Sequence, residues 1–205
     1  MAAYIFFYNP MSRAQIARWA LHEVAADYES VFVAWDNKPA ALMDANPMGK
    51  IPTIIHHTTA GDHVVSEAAA VCHYLAATSS TGLVPDASEM ADYFRWMFFA
   101  AGPLEAAVTN RSLGFDVPAE KTRMAGYGTY ADVMDTLEKA VSANAFIAGD
   151  RFSAADVYVG SHIAWGLNFG SIDKRSAFVD YFGRVSDRDA YRRAGDLDNA
   201  AMKAA

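Results

Sequence analysis

The sequence predicts an α/β domain at the N-terminus, followed by an all-α domain. The chain has 205 residues, of which 53% are hydrophobic and 20% charged, so it is long and apolar enough to bury a sizeable core. Short aromatic and β-branched runs, typical of strands, stop before residue 80. Apolar residues at helical spacing continue to about residue 185. A stretch rich in Ser, Thr, Gly and Pro separates the two parts.

The first part has the order strand, helix, strand, then a hairpin and a helix. A βαβ unit makes its two strands parallel, and the hairpin extends the same sheet in the antiparallel sense. The pattern βαβ-ββα therefore predicts a thioredoxin-like domain with a mixed four-stranded sheet. The predicted strands lie at 4–8, 28–34, 52–56 and 63–65, and the predicted helices at 12–24 and 66–75.

The second part contains only helical patterns. Apolar and aromatic residues recur there every three or four positions, which is typical of amphipathic helices. The predicted helices lie at 88–110, 120–143, 153–168 and 175–185. The predicted domains are accordingly 1–79 and 88–205, joined by a linker at 80–87.

Composition excludes several classes of protein. A net charge of −7, with no basic stripe, argues against nucleic-acid binding. No apolar run reaches the roughly 18 residues of a membrane span. The N-terminal residues lack the features of a signal peptide, and a single cysteine, Cys72, excludes an internal disulfide. We expect a soluble, cytoplasmic protein that binds neither nucleic acid nor membranes.

The histidines predict no metal site. His56, His57 and His63 surround the predicted hairpin, but no carboxylate or cysteine has suitable ligand spacing, and the pattern His-Glu-x-x-His is absent. The sequence also lacks a P-loop, a nucleophile elbow and a dinucleotide-binding glycine pattern. We therefore expect no bound metal.

The segment Asn46-Pro-Met-Gly-Lys-Ile-Pro52 enters the third predicted strand. A proline that opens a strand at a tight turn is a candidate for a cis peptide bond. A cis Ile51–Pro52 bond would present the main-chain N–H and C=O of Ile51 to an extended, peptide-like ligand. A trans proline is the commoner arrangement for the dipeptide alone.

The segment Ser66-Glu-Ala68 lies where the fourth predicted strand becomes a helix. First-turn N–H groups have no partner within a helix and attract carboxylates. Glu67 and the Ala68 N–H could therefore hold the ammonium and carboxylate of an amino-acid head group. Alternatively, Ser66 caps the helix and Glu67 only complements its dipole.

Ser12 lies at the predicted start of the first helix. A hydroxyl there can donate a hydrogen bond to a thiolate and so lower the pKa of the thiol. A drop of about two pKa units corresponds to roughly 2.7 kcal/mol, which one hydroxyl and a helix terminus can supply. Ser12 and Gln15 also match a capping box, in which case Ser12 only closes the helix.

These segments, in this order, resemble the glutathione S-transferase family, and most of all its bacterial serine-type branches. The resemblance covers essentially the full length. The residues that carry it are Tyr8-Asn-Pro-Met-Ser-Arg13, Asn46-Pro-Met-Gly-Lys-Ile-Pro52, Ser66-Glu-Ala-Ala-Ala-Val71 with His73-Tyr-Leu75, and Gly149-Asp-Arg-Phe-Ser-Ala-Ala-Asp156.

The resemblance implies a transferase that takes glutathione as its co-substrate. Ser12 would stabilise the glutathione thiolate, with Asn9 as the alternative. Phe7 lies nearest the position of the catalytic tyrosine in tyrosine-type members, which argues against that mechanism. Ala68 stands where the family usually has Ser or Thr, which weakens the hold on the glutamyl carboxylate. The residues implied in glutathione binding are Lys50, Ile51, Pro52, Glu67 and Ala68.

The resemblance also implies a homodimer that acts in detoxification. An electrophilic, often hydrophobic, small molecule would bind between the domains. The residues predicted to line this acceptor site are Met11, Phe98, Phe99, Asn110, Trp165 and Phe169.

Ser153 and Asp156 match a capping box in the core helix of the second domain, with Phe152 and Val157 as a hydrophobic staple. We assign this box to folding rather than to catalysis. From the capping pattern alone, Asp156→Ala is expected to cost about 0.5–2 kcal/mol of stability.

Two other functions fit the same scaffold. One is a glutathione-binding or partner-binding protein without activity, which Ala68 favours. The other is a specialised isomerase, dehalogenase or peroxidase that uses glutathione. Fold resemblance does not separate these, because the acceptor pocket decides the reaction.

Overall fold

The structure is a computed structural model that describes residues 2–204. The chain forms two compact units. The first comprises the residues up to Val84 together with those from Asp187 onward, and the second is Pro85–Ser186. The boundary between Val84 and Pro85 falls inside the predicted linker.

The first unit contains the predicted mixed sheet of four strands, in the order β2-β1-β3-β4. β1 pairs with β2 in parallel and with β3 antiparallel, and β3 pairs with β4 antiparallel. The βαβ-ββα order is confirmed, with one short additional helix, α2. The elements are β1 (Tyr4–Tyr8), α1 (Ala14–Glu23), β2 (Tyr28–Phe32), α2 (Ala40–Ala45), β3 (Thr53–Thr58), β4 (Gly61–Ser66) and α3 (Ala68–Ala77).

The strand register brings the three candidate segments to the same end of the sheet. Phe7 in β1 pairs with Thr53 in β3, and Thr53 pairs with Ser66 in β4. The end of β1, the beginning of β3 and the end of β4 therefore lie side by side in this row of paired residues. Because neighbouring strands lie about 4.8 Å apart, the turn after β1, the Ile51–Pro52 bond and the start of α3 are close together.

The last helix, α9 (Asp189–Ala204), belongs to the first unit. The sequence placed all of 88–205 in the helical domain, so the structure differs at this end. Apolar packing, such as the contact between the rings of Trp19 and Tyr191, and two ion pairs hold this segment to α1. Arg18 Nε in α1 lies 2.8 Å from Asp198 Oδ1 with both side chains buried, and Arg188 makes two hydrogen bonds of 2.7 Å to Glu23.

The second unit is helical throughout its regular structure. The long helix predicted at 88–110 is divided by a π-helical turn at Ala100–Leu104, which contains Pro103. Proline removes a helical hydrogen bond, and π turns are a common way of accommodating such a disruption. The α-helices are α4 (Met90–Phe99), α5 (Glu105–Ser112), α6 (Tyr130–Ala143), α7 (Ala154–Phe169) and α8 (Ser176–Ser186).

The helix predicted at 120–143 begins only at Tyr130. Thr129 and Asp132 form a reciprocal capping box that starts α6, and Gly128 just before it has φ +69°. Met124 and Tyr127, which the helical pattern included, therefore lie in the preceding loop, and Met124 is 85% exposed. This loop contains only a short 3-10 turn at Ala119–Lys121.

The predicted capping box at the start of α7 is confirmed. Asp156 is fully buried, and its Oδ2 accepts the Ser153 N–H at 2.9 Å. Its Oδ1 accepts the Ile147 N–H and the Tyr181 hydroxyl, each at 2.8 Å. Burial raises the pKa of this carboxyl, and the hydrogen bonds act in the opposite direction. Asp156 thus ties together α7, α8 and the loop before α7.

In the part of the chain that the structure describes, no helix is both long and apolar enough to cross a membrane.

Candidate functional site

The turn after β1 is built around the buried side chain of Asn9. Its Nδ2 donates to the Val33 carbonyl at 2.9 Å, and its Oδ1 accepts the Met11 N–H at 2.9 Å. Both ends of the amide are therefore engaged by the backbone. Asn9 fixes the shape of the turn, and the second hydrogen of its buried Nδ2 has no acceptor in the described part of the chain.

Ser12 has its single hydroxyl proton engaged as well. Ser12 Oγ donates to the Asn9 carbonyl at 2.7 Å and accepts the Ala14 N–H at 3.1 Å. The Ser12 main-chain N–H has no acceptor among residues 2–204. The side chain is half-buried. This position thus offers one free main-chain donor, and a hydroxyl that must turn before it can donate elsewhere.

The capping pattern of Ser12 and Gln15 is realised differently from the prediction. α1 begins at Ala14, with Arg13 in the N-cap position. The Gln15 side chain donates to the Pro10 carbonyl, and Ser12 Oγ accepts the N–H two residues on rather than three. Ser12 therefore belongs to the turn that precedes the helix.

The predicted cis geometry of the Ile51–Pro52 bond is present. The Ile51 side chain packs against a buried cluster of Phe7, Val33 and Leu42. Its main-chain N–H and C=O make no hydrogen bond to any residue in 2–204. A residue whose side chain is anchored and whose main-chain groups are both unpaired can pair with another extended chain, as a strand edge does.

The loop before this bond is held by two buried polar residues that the sequence analysis did not select. The Lys50 carbonyl accepts from Thr53 Oγ1 at 2.8 Å and from Asn46 Nδ2 at 3.1 Å. Asn46 Oδ1 also accepts the Met48 N–H at 3.2 Å, which is an Asx turn. The Asn46-Pro47 dipeptide is a turn signal from which this role could have been inferred. The Lys50 side chain is exposed.

Glu67 has a backbone conformation that is rare for a residue with a side chain. Its φ is +67° and its ψ is 119°, at the N-cap position of α3. Such a conformation costs on the order of 1–3 kcal/mol, and such residues are often found at ligand sites. The Glu67 side chain is exposed and makes no capping hydrogen bond.

The alternative in which Ser66 caps α3 does not hold. Ser66 is the last residue of β4, and the N-cap position falls on Glu67. No hydrogen bond of the Ser66 hydroxyl occurs within residues 2–204. The first-turn N–H groups of α3, beginning with Ala68, therefore have no side-chain cap from either residue and are available to a carboxylate.

The remaining candidates have structural or surface roles. Cys72 is buried, and burial raises the pKa of its thiol to about 12, so it is not a thiolate at neutral pH. His56 contacts the Tyr74 hydroxyl at 2.9 Å, and His57 contacts Asp62 at 2.7 Å. The described residues contain no group of three or more His, Cys, Asp or Glu side chains that could hold a metal ion.

The six residues predicted for the acceptor site are divided between the two units. Met11, in the first unit, is 74% exposed. In the second unit, Phe98 and Phe169 are 72% and 80% exposed. Phe99, Asn110 and Trp165 are half-buried, and Asn110 Nδ2 donates to the Tyr127 hydroxyl at 3.0 Å. Their joint role stays a prediction.

Comparison with known proteins agrees with the resemblance seen in the sequence. The family model described as the glutathione S-transferase N-terminal domain matches residues 10–78. Glutathione S-transferase A of Pleuronectes platessa is 25% identical over 174 residues, which cover 78% of this chain and 75% of that protein. Glutathione S-transferase 3 of Zea mays is 28% identical over 149 residues, 66% of this chain and 65% of that protein.

Solved structures share the fold over nearly the whole chain. A glutathione transferase from Methylococcus capsulatus has a TM-score of 0.77 at 23% identity, covering 96% of this chain and 99% of that one. A sphingomonad glutathione S-transferase complexed with glutathione has a TM-score of 0.75 at 24% identity, covering 95% and 98%. The mixed sheet, the cis-proline turn and these matches together define a thioredoxin-like domain that is followed by a helical domain in the same chain. Residues 10–78 thus match the glutathione S-transferase N-terminal domain, and the whole chain is similar in fold to glutathione S-transferases.

Proposed function

We propose that the protein is a glutathione transferase and that glutathione binds to the first unit. The observation that carries this proposal is the pair of unpaired main-chain groups on Ile51, next to the cis bond to Pro52. They suit the extended cysteinyl part of a tripeptide. The relatives named above are transferases, and the sphingomonad protein was solved with glutathione.

The start of α3 would bind the γ-glutamyl end. The Glu67 carboxylate would hold its ammonium, and the Ala68 N–H its carboxylate. Lys50, which is exposed beside the cis bond, would attract the carboxylate at the glycyl end. Each charge of the tripeptide then meets an opposite charge or a helix N-terminus.

Ser12 would stabilise the glutathione thiolate by turning its hydroxyl away from the Asn9 carbonyl. A hydrogen bond between neutral groups contributes about 0.5–1.5 kcal/mol, whereas one to a charged group contributes about 1.5–3 kcal/mol. The exchange is therefore favourable once a thiolate is present. The free Ser12 N–H can donate to the same sulfur.

The thiolate would attack an electrophilic carbon, forming a carbon–sulfur bond as the leaving group departs with the bonding electrons. The protein itself forms no covalent bond, since it only ionises and positions the tripeptide. We further propose that the residues predicted for the acceptor site bind the electrophile, and that the protein is a cytoplasmic homodimer that acts in detoxification.

Two binding measurements test the glutathione site. Calorimetry should show that glutathione binds to the wild-type protein, and that Glu67→Gln weakens binding by about tenfold, because a charge-assisted contact of about 1.5 kcal/mol is lost. The exposed Glu29→Gln in β2 is a matched control and should leave binding unchanged. Equal binding by Glu67→Gln and wild type would remove Glu67 from the site.

A glutathione-binding protein without activity is the second candidate. Two observations favour it: the Ser12 proton is already engaged by Asn9, and Ala68 lacks the hydroxyl usual in the family. Binding of glutathione without turnover in screens for aryl-halide conjugation, isomerisation, dehalogenation and peroxide reduction would support this candidate. Turnover in any of them would identify the reaction class.

A further inference from the structure

A hydrogen-bonded group of side chains joins three elements of the first unit and takes no part in the proposed glutathione site. Arg18 in α1 is buried, and its Nε lies 2.8 Å from Asp198 Oδ1 in α9. Its Nη1 donates to the Tyr28 hydroxyl of β2 at 3.2 Å. His22, one turn further along α1, has its Nε2 3.0 Å from the same hydroxyl oxygen. The Tyr28 hydroxyl therefore connects His22 to the ion pair that holds α9.

The hydrogen bonds of the Tyr28 hydroxyl indicate a neutral His22 ring. A guanidinium can only donate, so the Tyr28 oxygen accepts from Arg18, and the single Tyr28 proton points to His22 Nε2. That nitrogen can accept the proton only when it carries no hydrogen itself, and a protonated ring carries hydrogens on both nitrogens. Protonation of His22 would therefore break this hydrogen bond and turn a second positive donor toward the oxygen that Arg18 already contacts.

The charges that face His22 also disfavour a proton on its ring. Burial and, after it, the nearby cations Arg18 in α1 and Arg193 in α9 lower the pKa of His22. The last turn of a helix generally favours a cation, and His22 lies in the last turn of α1, but two cations already face it there. Asp198, the acidic member of the group, is paired with Arg18. A proton on His22 would thus add a third positive charge where α1 meets α9.

The sign of the pH dependence follows from the direction of this shift. The pKa of His22 is lowered when α9 is docked, whereas an unfolded chain has the ordinary value of about 6.5. The undocked state therefore binds the proton more tightly, so docking is unaffected well above about pH 6.5 and weakens as the pH falls below it.

We propose that protonation of His22 weakens the contact of α9 with α1 and β2, so that the C-terminal helix opens more readily in mildly acidic solution. Two contacts that do not depend on His22 keep the helix attached. They are the hydrogen bonds of Arg188 to Glu23, and the packing of the Trp19 ring against the ring of Tyr191, with ring centres 4.8 Å apart. The change is therefore a graded increase in opening rather than release of α9. It involves none of the residues proposed to bind glutathione, so it stands or falls independently of that site.

Hydrogen exchange of the α9 backbone amides tests the proposal on the full-length protein. It is followed by mass spectrometry between about pH 7.5 and about pH 5.5, on either side of the ordinary histidine pKa. After correction for the intrinsic exchange rate, protection of α9 in the wild type should fall about two- to tenfold over this range, which corresponds to one net hydrogen bond. In His22→Gln it should not change, because glutamine keeps an acceptor for Tyr28 but does not titrate.

His73→Gln, in α3, is the matched control. His73 is also half-buried, and burial also lowers the pKa of its ring, so this variant should lose α9 protection as the wild type does. A second measurement, the NMR titration of the His22 ring in the wild type, should give a pKa below about 6.5. Constant α9 protection in the wild type, an equal loss in His22→Gln, or a His22 ring that titrates at or above the ordinary value would overturn the proposal.

Discussion

Among single residues, Asn9 and Ser12 differ in how firmly the turn after β1 holds their side chains. Asn9 is buried with both amide ends bonded to the backbone, so it shapes the turn. Ser12 is half-buried, and its hydroxyl contacts only the turn itself. The family resemblance made Asn9 the alternative to Ser12 as the group that stabilises the thiolate. The hydrogen bonds favour a role for Asn9 in holding Ser12 instead.

Asn9→Ala should lower the free energy of unfolding by about 1–3 kcal/mol, because it leaves the Val33 carbonyl and the Met11 N–H without partners. Chemical denaturation measures this. The exposed Asn37→Ala makes the same side-chain change and should stay within about 0.5 kcal/mol of the wild type. Equal effects of the two substitutions would show that the Asn9 amide does not hold the turn.

At the scale of elements, two capping boxes of the same type differ in their burial. The box of Thr129 and Asp132 starts α6 at the surface, whereas the box of Ser153 and Asp156 starts α7 in the core. The buried carboxylate also accepts bonds from Ile147 and Tyr181. The sequence pattern identified the box but not these distant partners.

Asp156→Ala should therefore cost more than a cap alone, about 2–4 kcal/mol, because buried donors lose their acceptor in addition to the cap. Asp132→Ala in the exposed box is the matched control and should cost about 0.5–1 kcal/mol. Both values come from denaturant unfolding. Similar losses for the two variants would mean that the contacts of Asp156 to Ile147 and Tyr181 contribute little.

The sequence predicted features that depend on residues close together in the chain, and it missed contacts between residues far apart in the chain. Local signals sufficed for the order of strands and helices in the first unit and for the box at Ser153. They made Ile51–Pro52 only a candidate for a cis bond, which the family resemblance then favoured. Long-range pairing was missed, as with Asp198 and the buried Arg18, because no local pattern couples residues 180 positions apart. The hydroxyl direction of Ser12 also depends on a neighbouring carbonyl, which side-chain type alone does not reveal.

At the scale of the whole molecule, the chain leaves the first unit at Val84 and returns to it at Asp187. A buried ion pair and apolar packing, including the contact between the rings of Trp19 and Tyr191, join this returning segment to α1. The Arg18 guanidinium is buried, lies 4.2 Å from the centre of the Tyr8 ring, and has Asp198 as its acidic partner. Helix α9 thus completes the first unit by neutralising a cation that α1 buries.

Asp198→Ala should destabilise the protein by about 3–5 kcal/mol, because it leaves the buried Arg18 charge without its counter-ion. The exposed Asp196→Ala, on the same helix, should change stability by no more than about 0.5 kcal/mol. Denaturant midpoints of the two variants provide the comparison. A small effect of Asp198→Ala would show that Arg18 is stabilised by other contacts, such as the ring of Tyr8.

We propose that the first unit makes the sulfur of bound glutathione anionic. An ultraviolet titration of bound glutathione tests it most directly, since the thiolate absorbs and the thiol does not. We predict a thiol pKa about two units below the value of about 8.5 for a free thiol, and a return toward that value in Ser12→Ala. A bound thiol that titrates like free glutathione in the wild-type protein would show that the first unit does not stabilise the thiolate.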